Sequence, residues 1–281
     1  MTDTQSLLAQ QSFVELNARE RARSLLDQGS MQELLGPFDR VKSPWLEQQG
    51  IVAQADDGAV VAKGTINGKP VVVAAIEGNF QGGSMGEVSG AKLAAALELA
   101  LEDNLKGIPR AAVLLLETGG VRLQEANLGL AAIAEIHAAI VALRVHQPVI
   151  GVVAGSVGCF GGMSIAAALC SSLVVTQEAR VGLNGPQVIE QEAGIDEYDS
   201  RNRPFIWSFT GGEQRFASGL VDAFSEDNCS AMREAVVRLL AQPVGPSRSE
   251  QYAFYLEKFA QLSGEQLSPE HVRQLYQGEP A

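Results

Sequence analysis

VIGVVAGSVGCFGGMSIAAAL, residues 149–169, carries the reading of the whole chain. Its first five residues are a short, β-branched apolar run, the pattern of a buried strand. AGSVGCFGG follows as a glycine loop, and 163–169 reads as a short helix. Outward from this stretch the same order recurs. Residues 111–116 are a short buried strand, ETGGVR is its loop, and a helix carrying Ile133, Ile136, Ile140 and Leu143 comes next. Further upstream, 60–66 and 71–76 are strand-like runs joined by Asn67-Gly68, a hairpin signal because both residues tolerate positive φ. EGNFQGGSMGEVSGAK then opens onto a helix with Leu93, Leu97 and Leu101 at every fourth place. Downstream, 173–176 is another strand and VGLNGPQVIEQ a loop entering a helix. Strand, glycine loop and helix in succession specify an α/β fold with crossover connections.

The rest of the chain fits one domain over residues 1–281, with terminal helices expected at about 12–35 and 231–276. In the first of these, Phe13, Leu16, Leu25 and Leu26 are the candidate buried positions. Hydrophobic residues make up 46% and charged residues 19% of the 281, enough for a sizeable core and too apolar for general disorder. A net charge of −12 argues against a broad nucleic-acid footprint. Between Arg144 and Glu178 no charged residue occurs, which imitates a membrane span, but Pro148 and a series of glycines break it into strand, loop and helix. Cys159, Cys170 and Cys229 form neither a C-x-x-C pair nor a disulfide framework, and the N-terminus lacks a secretion signal. A cytoplasmic, non-membrane protein is expected.

Several chemistries can be tested directly on the sequence. Gly82-Gly83-Ser84-Met85-Gly86 matches G-x-S-x-G, yet a polar segment, residues 77–81, separates Ser84 from its strand. A nucleophile elbow needs the strand to run straight into the serine, so Ser84 is not expected to act as one. Neither G-x-x-x-x-G-K-[ST] nor a strand-borne G-x-G-x-x-G is present, and the three histidines lack ligand spacing, so no metal is expected. Gly119-Gly120 and Gly161-Gly162 are better placed. Each pair follows a buried strand and precedes a helix, where free N–H groups and the helix dipole favour developing negative charge. Such loops suit a thioester oxygen becoming an enolate, although tight packing alone also uses glycine there. Arg122, Gln124 and Glu125 at the next helix entry are read either as a solvated cap or as contacts to phosphate or adenine. Gln187 and Glu190 follow the turn Asn184-Gly185-Pro186 and stay open between a helix start and a site.

FQGGSMGEVSGAK, ETGGVRLQEA, GSVGCFGGMSIAAAL and VGLNGPQVIEQ, in that order, resemble the carboxyltransferase branch of the crotonase superfamily. NARERARSLLDQGSMQEL resembles that family's opening helix and TGGEQRFASGLVDAF its late segment, so the likeness covers about residues 13–240. Within the branch the resemblance is strongest to the beta subunits of biotin-independent malonate decarboxylases. It implies a crotonase-like spiral of repeated ββα units and one half of a site that a related gamma subunit completes. It also implies a malonyl thioester substrate, carried on an acyl-carrier-protein subunit by an arm derived from dephospho-coenzyme A, with neither biotin nor metal. By position, Gly161 and Gly162 match the loop that supplies catalytic oxyanion amides. Gly119, Gly120, Val121 and Arg122 match the second loop near the thioester and the adenine end of the arm, and Gln187 joins them as a substrate-binding candidate. The zinc ribbon with which many acetyl-CoA carboxylase beta subunits begin has no counterpart here, and Gly-Gly-Val-Arg replaces the commoner Gly-Gly-Ala-Arg. A biotin-dependent acyl-CoA carboxyltransferase subunit and a non-catalytic binding subunit of the same fold are the alternatives.

Overall fold

The computed structural model describes residues 11–50, 57–261 and 268–276. Its centre is a seven-stranded sheet whose spatial order is the sequence order, β1 to β7. β1 (Gln32–Leu34), β2 (Ala59–Ile66) and β3 (Lys69–Ile76) pair antiparallel. From β3 onward, β4 (Ala111–Leu115), β5 (Val149–Val153), β6 (Ser172–Val175) and β7 (Ala223–Phe224) run parallel. The hairpin forms as expected, with Asn67 at φ 50° and Gly68 at φ 75°. Each parallel step needs a crossover, and three consecutive ones are the glycine loops and helices read from the sequence: α2 (Glu87–Leu105), α3 (Asn127–Leu143) and α4 (Gly162–Leu169).

Both sheet faces are covered, which is why β4 and β5 are apolar throughout and do not alternate. One core lies between the sheet and α2, α3 and α4, with Leu93, Leu97, Ile136, Ile140 and Met163 at its middle. The other lies beneath α1 (Ala18–Leu25) and α8 (Cys229–Ala241) and holds Phe13, Leu25, Val113 and Val236. Between these two helices the chain continues through α5 (Pro186–Ala193), α6 (Arg203–Thr210) and α7 (Gly212–Ala217), and α9 (Tyr252–Ala260) and α10 (Pro269–Tyr276) follow.

Beyond the carboxyl ends of the strands a second, minimal layer forms from single bridges. Met85 pairs with Val121, Thr118 with Cys159, and Cys159 with Val181. Each turn of the chain thus gives one main-sheet strand, one bridge position and one helix. This is the spiral of ββα units, and it stacks successive glycine loops on one another.

The opening segment departs from expectation. A helix over 12–35 is replaced by α1, which spans only Ala18–Leu25, and by β1. Asn17 and Glu20 form a reciprocal capping box at the start of α1, and Leu26 turns extended at its end. Phe13, Leu25 and Leu26 are buried as expected, and Leu16 is half-buried. The C-terminal helices occupy 229–241, 252–260 and 269–276; residues 1–10, 51–56, 262–267 and 277–281 of the expected domain lie outside the described residues.

Candidate functional site

The two glycine pairs, about forty positions apart in sequence, meet at the carboxyl edge of the sheet. A Cβ placed on Gly161 would lie 3.4 Å from the Gly120 α-carbon, and one on Gly120 would lie 3.1 Å from the Phe160 carbonyl oxygen. Glycine is required here by backbone angle more than by space. Gly120 has φ 104° and Gly161 has φ 59° with ψ −144°, conformations that L side chains rarely adopt. The bridge hydrogen bonds hold this contact: Phe160 N–H donates to the Thr118 carbonyl (3.1 Å) and Thr118 N–H to the Gly158 carbonyl (2.7 Å).

A buried ion pair underlies the junction. Arg21 from α1 donates to Glu117 at 2.7 Å, and Glu117 accepts the Val157 N–H at 2.8 Å. Gly78 and Gly155 leave the room the Glu117 side chain occupies, since a Cβ on either would fall within 2.5 Å of it. Sequence reasoning passed over Glu117. Its signal was an acid placed directly after a buried strand and directly before Thr-Gly-Gly.

The amides divide into spent and unspent. Gly161 N–H donates to the Leu183 carbonyl (2.7 Å), Gly119 N–H to the Gly82 carbonyl (2.9 Å), and Gly120 N–H to Thr118 Oγ1 (3.0 Å). The Gly161 N–H, matched by position to an oxyanion amide, closes the loop in this structure. Gly119 and Gly120 shape the contact in the same way. Among the described residues no protein acceptor meets the N–H of Val121, Gly162 or Met163. Gly162 and Met163 are the first two residues of α4, where the helix dipole adds partial positive charge.

Arg122, matched by position to the substrate-binding loop, is 5% exposed and held from all sides. It pairs with Glu125 at 2.8 Å, donates to the Ser84 and Asp57 carbonyls, and lies over the Phe80 ring. Glu125 in turn accepts the Glu87 N–H at the start of α2 (2.7 Å), so the pair ties the first glycine loop to the second. Ser84 Oγ accepts from Arg122 at 3.3 Å, and no histidine is among its partners in the described residues. Gln187 is exposed in the first turn of α5, just beyond Leu183. Cys159, between the two pairs, is fully buried and desolvation pushes its thiol far above the ordinary range, which removes it as a nucleophile. An open cleft of about 790 Å³ lies alongside, lined by Ser156, Glu178, Arg180, Ser200, Arg203 and Trp207. Arg180 sits between the rings of Trp207 (4.6 Å) and Phe160 (5.4 Å) and so flanks the Gly161 loop.

A ββα spiral that stacks its glycine loops at the carboxyl edge of the sheet is the fold of crotonase-type carboxyltransferases. The chain belongs to the carboxyl transferase domain family, whose model matches residues 11–251. It is 65% identical, with a TM-score of 0.93, to a chain of a Pseudomonas malonate decarboxylase hetero-tetramer solved in complex with malonate, covering 98% of this chain and 100% of that one. It is 40% identical over 247 residues to the malonyl-S-ACP:biotin-protein carboxyltransferase MADC of Malonomonas rubra, covering 84% of this chain and 78% of that protein. A transcarboxylase 12S chain with methylmalonyl-coenzyme A bound matches at 30% identity and a TM-score of 0.67, over 85% of this chain but 42% of that one.

Proposed function

We propose that this chain is the beta subunit of a malonate decarboxylase, converting a malonyl thioester on an acyl carrier protein to the acetyl thioester and carbon dioxide. The observation that carries the reading is the set of unspent amides of Val121, Gly162 and Met163 beside the Gly120–Gly161 contact. The reaction breaks the bond between the α-carbon and the carboxylate and releases carbon dioxide; the electron pair moves into the thioester carbonyl. Amides fixed in a buried loop then face the enolate oxygen without having to reorganise, and one such donor is worth about 2.7–4 kcal/mol. They strengthen as charge develops, so they favour the transition state over bound substrate. A proton from water or a partner residue then returns to the α-carbon to give the acetyl thioester. The thioester is carried by an arm derived from dephospho-coenzyme A, and no biotin or metal takes part.

In this reading the chain is one half of the site, with a gamma subunit of related fold completing it. The transcarboxylase chain, more than twice as long as the part matched, supports that division. So does the hetero-tetrameric state of the 65% identical relative. Three free thiols suit the reducing cytoplasm. MADC supports a second reading, in which the carboxyl group passes to protein-bound biotin. Carboxyl-labelled malonyl carrier given to the reconstituted complex separates the two. Label released as carbon dioxide without any biotin protein supports decarboxylation; release that requires a biotin acceptor, with label found on it, replaces that reading with carboxyl transfer.

A further inference from the structure

We infer that His137 is a positioning residue for the amide donors, acting through the Gly162–Met163 peptide; this rests on the function proposed above. His137 Nε2 lies 2.7 Å from the Gly162 carbonyl oxygen. A carbonyl only accepts, so Nε2 carries the proton whatever the state of the other ring nitrogen. The Gly162 carbonyl and the Met163 N–H belong to one planar peptide unit. A donor at the oxygen draws electron density toward it and polarises the N–H at the far side of the same unit. That N–H is one of the unspent donors at the start of α4.

The same face of α3 grips Gly162 twice. Ile133, one helical turn before His137, is buried, and its Cγ2 lies 2.9 Å from where a Cβ on Gly162 would sit. Ile133 thus fixes the α-carbon while His137 fixes the carbonyl. The Met163 side chain is fully buried in the same apolar core as Ile133, which anchors the peptide at its other end. His137 touches no reacting atom in this arrangement. It sets the tilt and the donor strength of a peptide that does.

The test compares His137→Gln, which keeps an N–H donor, with His137→Leu, which keeps bulk and loses it, in the assembled complex. The leucine variant is expected to lose about tenfold in kcat with less than about twofold change in KM, and glutamine to restore most of it. A second readout does not depend on turnover. Met163 is the only methionine in the chain that follows a glycine. Carbonyl-¹³C glycine with ¹⁵N methionine therefore gives a single carbonyl–amide correlation, from the Gly162–Met163 peptide. Its amide proton and carbonyl carbon should move upfield in His137→Leu and stay near wild type in His137→Gln. An unmoved resonance, an unchanged kcat, or a loss carried by KM would each overturn the inference. A wild-type complex releasing no carbon dioxide would sink the proposed function instead, and the resonance would still decide whether His137 polarises the peptide.

Discussion

At Gly162 the α-carbon and the amide carry separate duties, and substitution can separate them. Alanine keeps the N–H but puts a methyl 2.9 Å from Ile133 Cγ2, so it reports the steric cost. Proline brings a comparable Cβ, is tolerated at the first helical position, and removes the donor. The ratio of the two isolates the amide. Turnover of malonyl carrier should be about 100-fold lower for Gly162→Pro than for Gly162→Ala, while carrier binding differs little. Equal rates from two folded complexes would end the amide's role. Arg122 predicts a different kind of loss. Arg122→Met leaves Glu125 buried beside the start of α2 without its cation, and removing one partner of such a pair costs about 3–5 kcal/mol. Its melting temperature should drop by roughly 5–10 °C. A variant that melts like wild type but fails to bind the carrier would return Arg122 to the substrate. Ser84→Ala should retain most activity, and a covalent acyl adduct on Ser84 would reverse that assignment.

Among the elements, the β2–β3 hairpin is held by Asp27, which lies just past α1. Its carboxylate accepts Thr65 Oγ1–H (2.6 Å) and the N–H groups of Asn67 and Gly68 (both 2.9 Å), and pairs with Arg233 of α8. These bonds, the Thr65 hydroxyl foremost, lower its pKa from 3.8 to about 2. A lowered folded-state pKa means the carboxylate stabilises the fold above the ordinary value, and that contribution disappears as pH falls from about 4 through 2. The site is near the surface, so solvent screening leaves about 1 kcal/mol at neutral pH. Asp27→Asn should be less stable by that amount at pH 7 in denaturant titration, with the difference closing toward pH 2; a pH-independent gap would remove the charge from the account. The turn itself was legible from Asn67-Gly68, whereas its lock, forty residues earlier, was not. Likewise β4 and β5 were read to within a residue because burial on both faces leaves an unbroken apolar run. Residues 32–34 were misread as helix because they pair with Lys63, Ala62 and Val61, a tertiary partner that local periodicity does not show. Glycine pairs announced the loops. Which of their amides remain unspent depended on Leu183 and Thr118, and the burial of Arg122 on Asp57 and Glu125, none of it written in spacing.

For the whole molecule, the direction of the helices decides where a partner subunit should sit. Helices that return antiparallel to the strands start at the carboxyl edge, beside the unspent amides, and end at the opposite edge. At the starting edge Leu123, Leu130, Ile165, Leu183 and Val188 are all exposed, although they belong to separate segments around the glycine loops. An apolar rim of this kind around a polar donor site is what a partner of related fold would cover, excluding water from the enolate as it does so. Leu105, 69% exposed, closes α2 at the far edge and serves as the control. Leu130→Glu places a charge in the proposed contact at little cost to the free chain, since the side chain is already 53% exposed. It should weaken assembly with the proposed gamma subunit by at least about tenfold, burying an unpaired charge being costly, and activity should return as partner concentration is raised. Leu105→Glu should assemble as wild type does. Sedimentation velocity of the mixed subunits reads both. Wild-type assembly by Leu130→Glu, or loss of assembly in Leu105→Glu alone, would move the partner away from the glycine edge and leave the amides open to water.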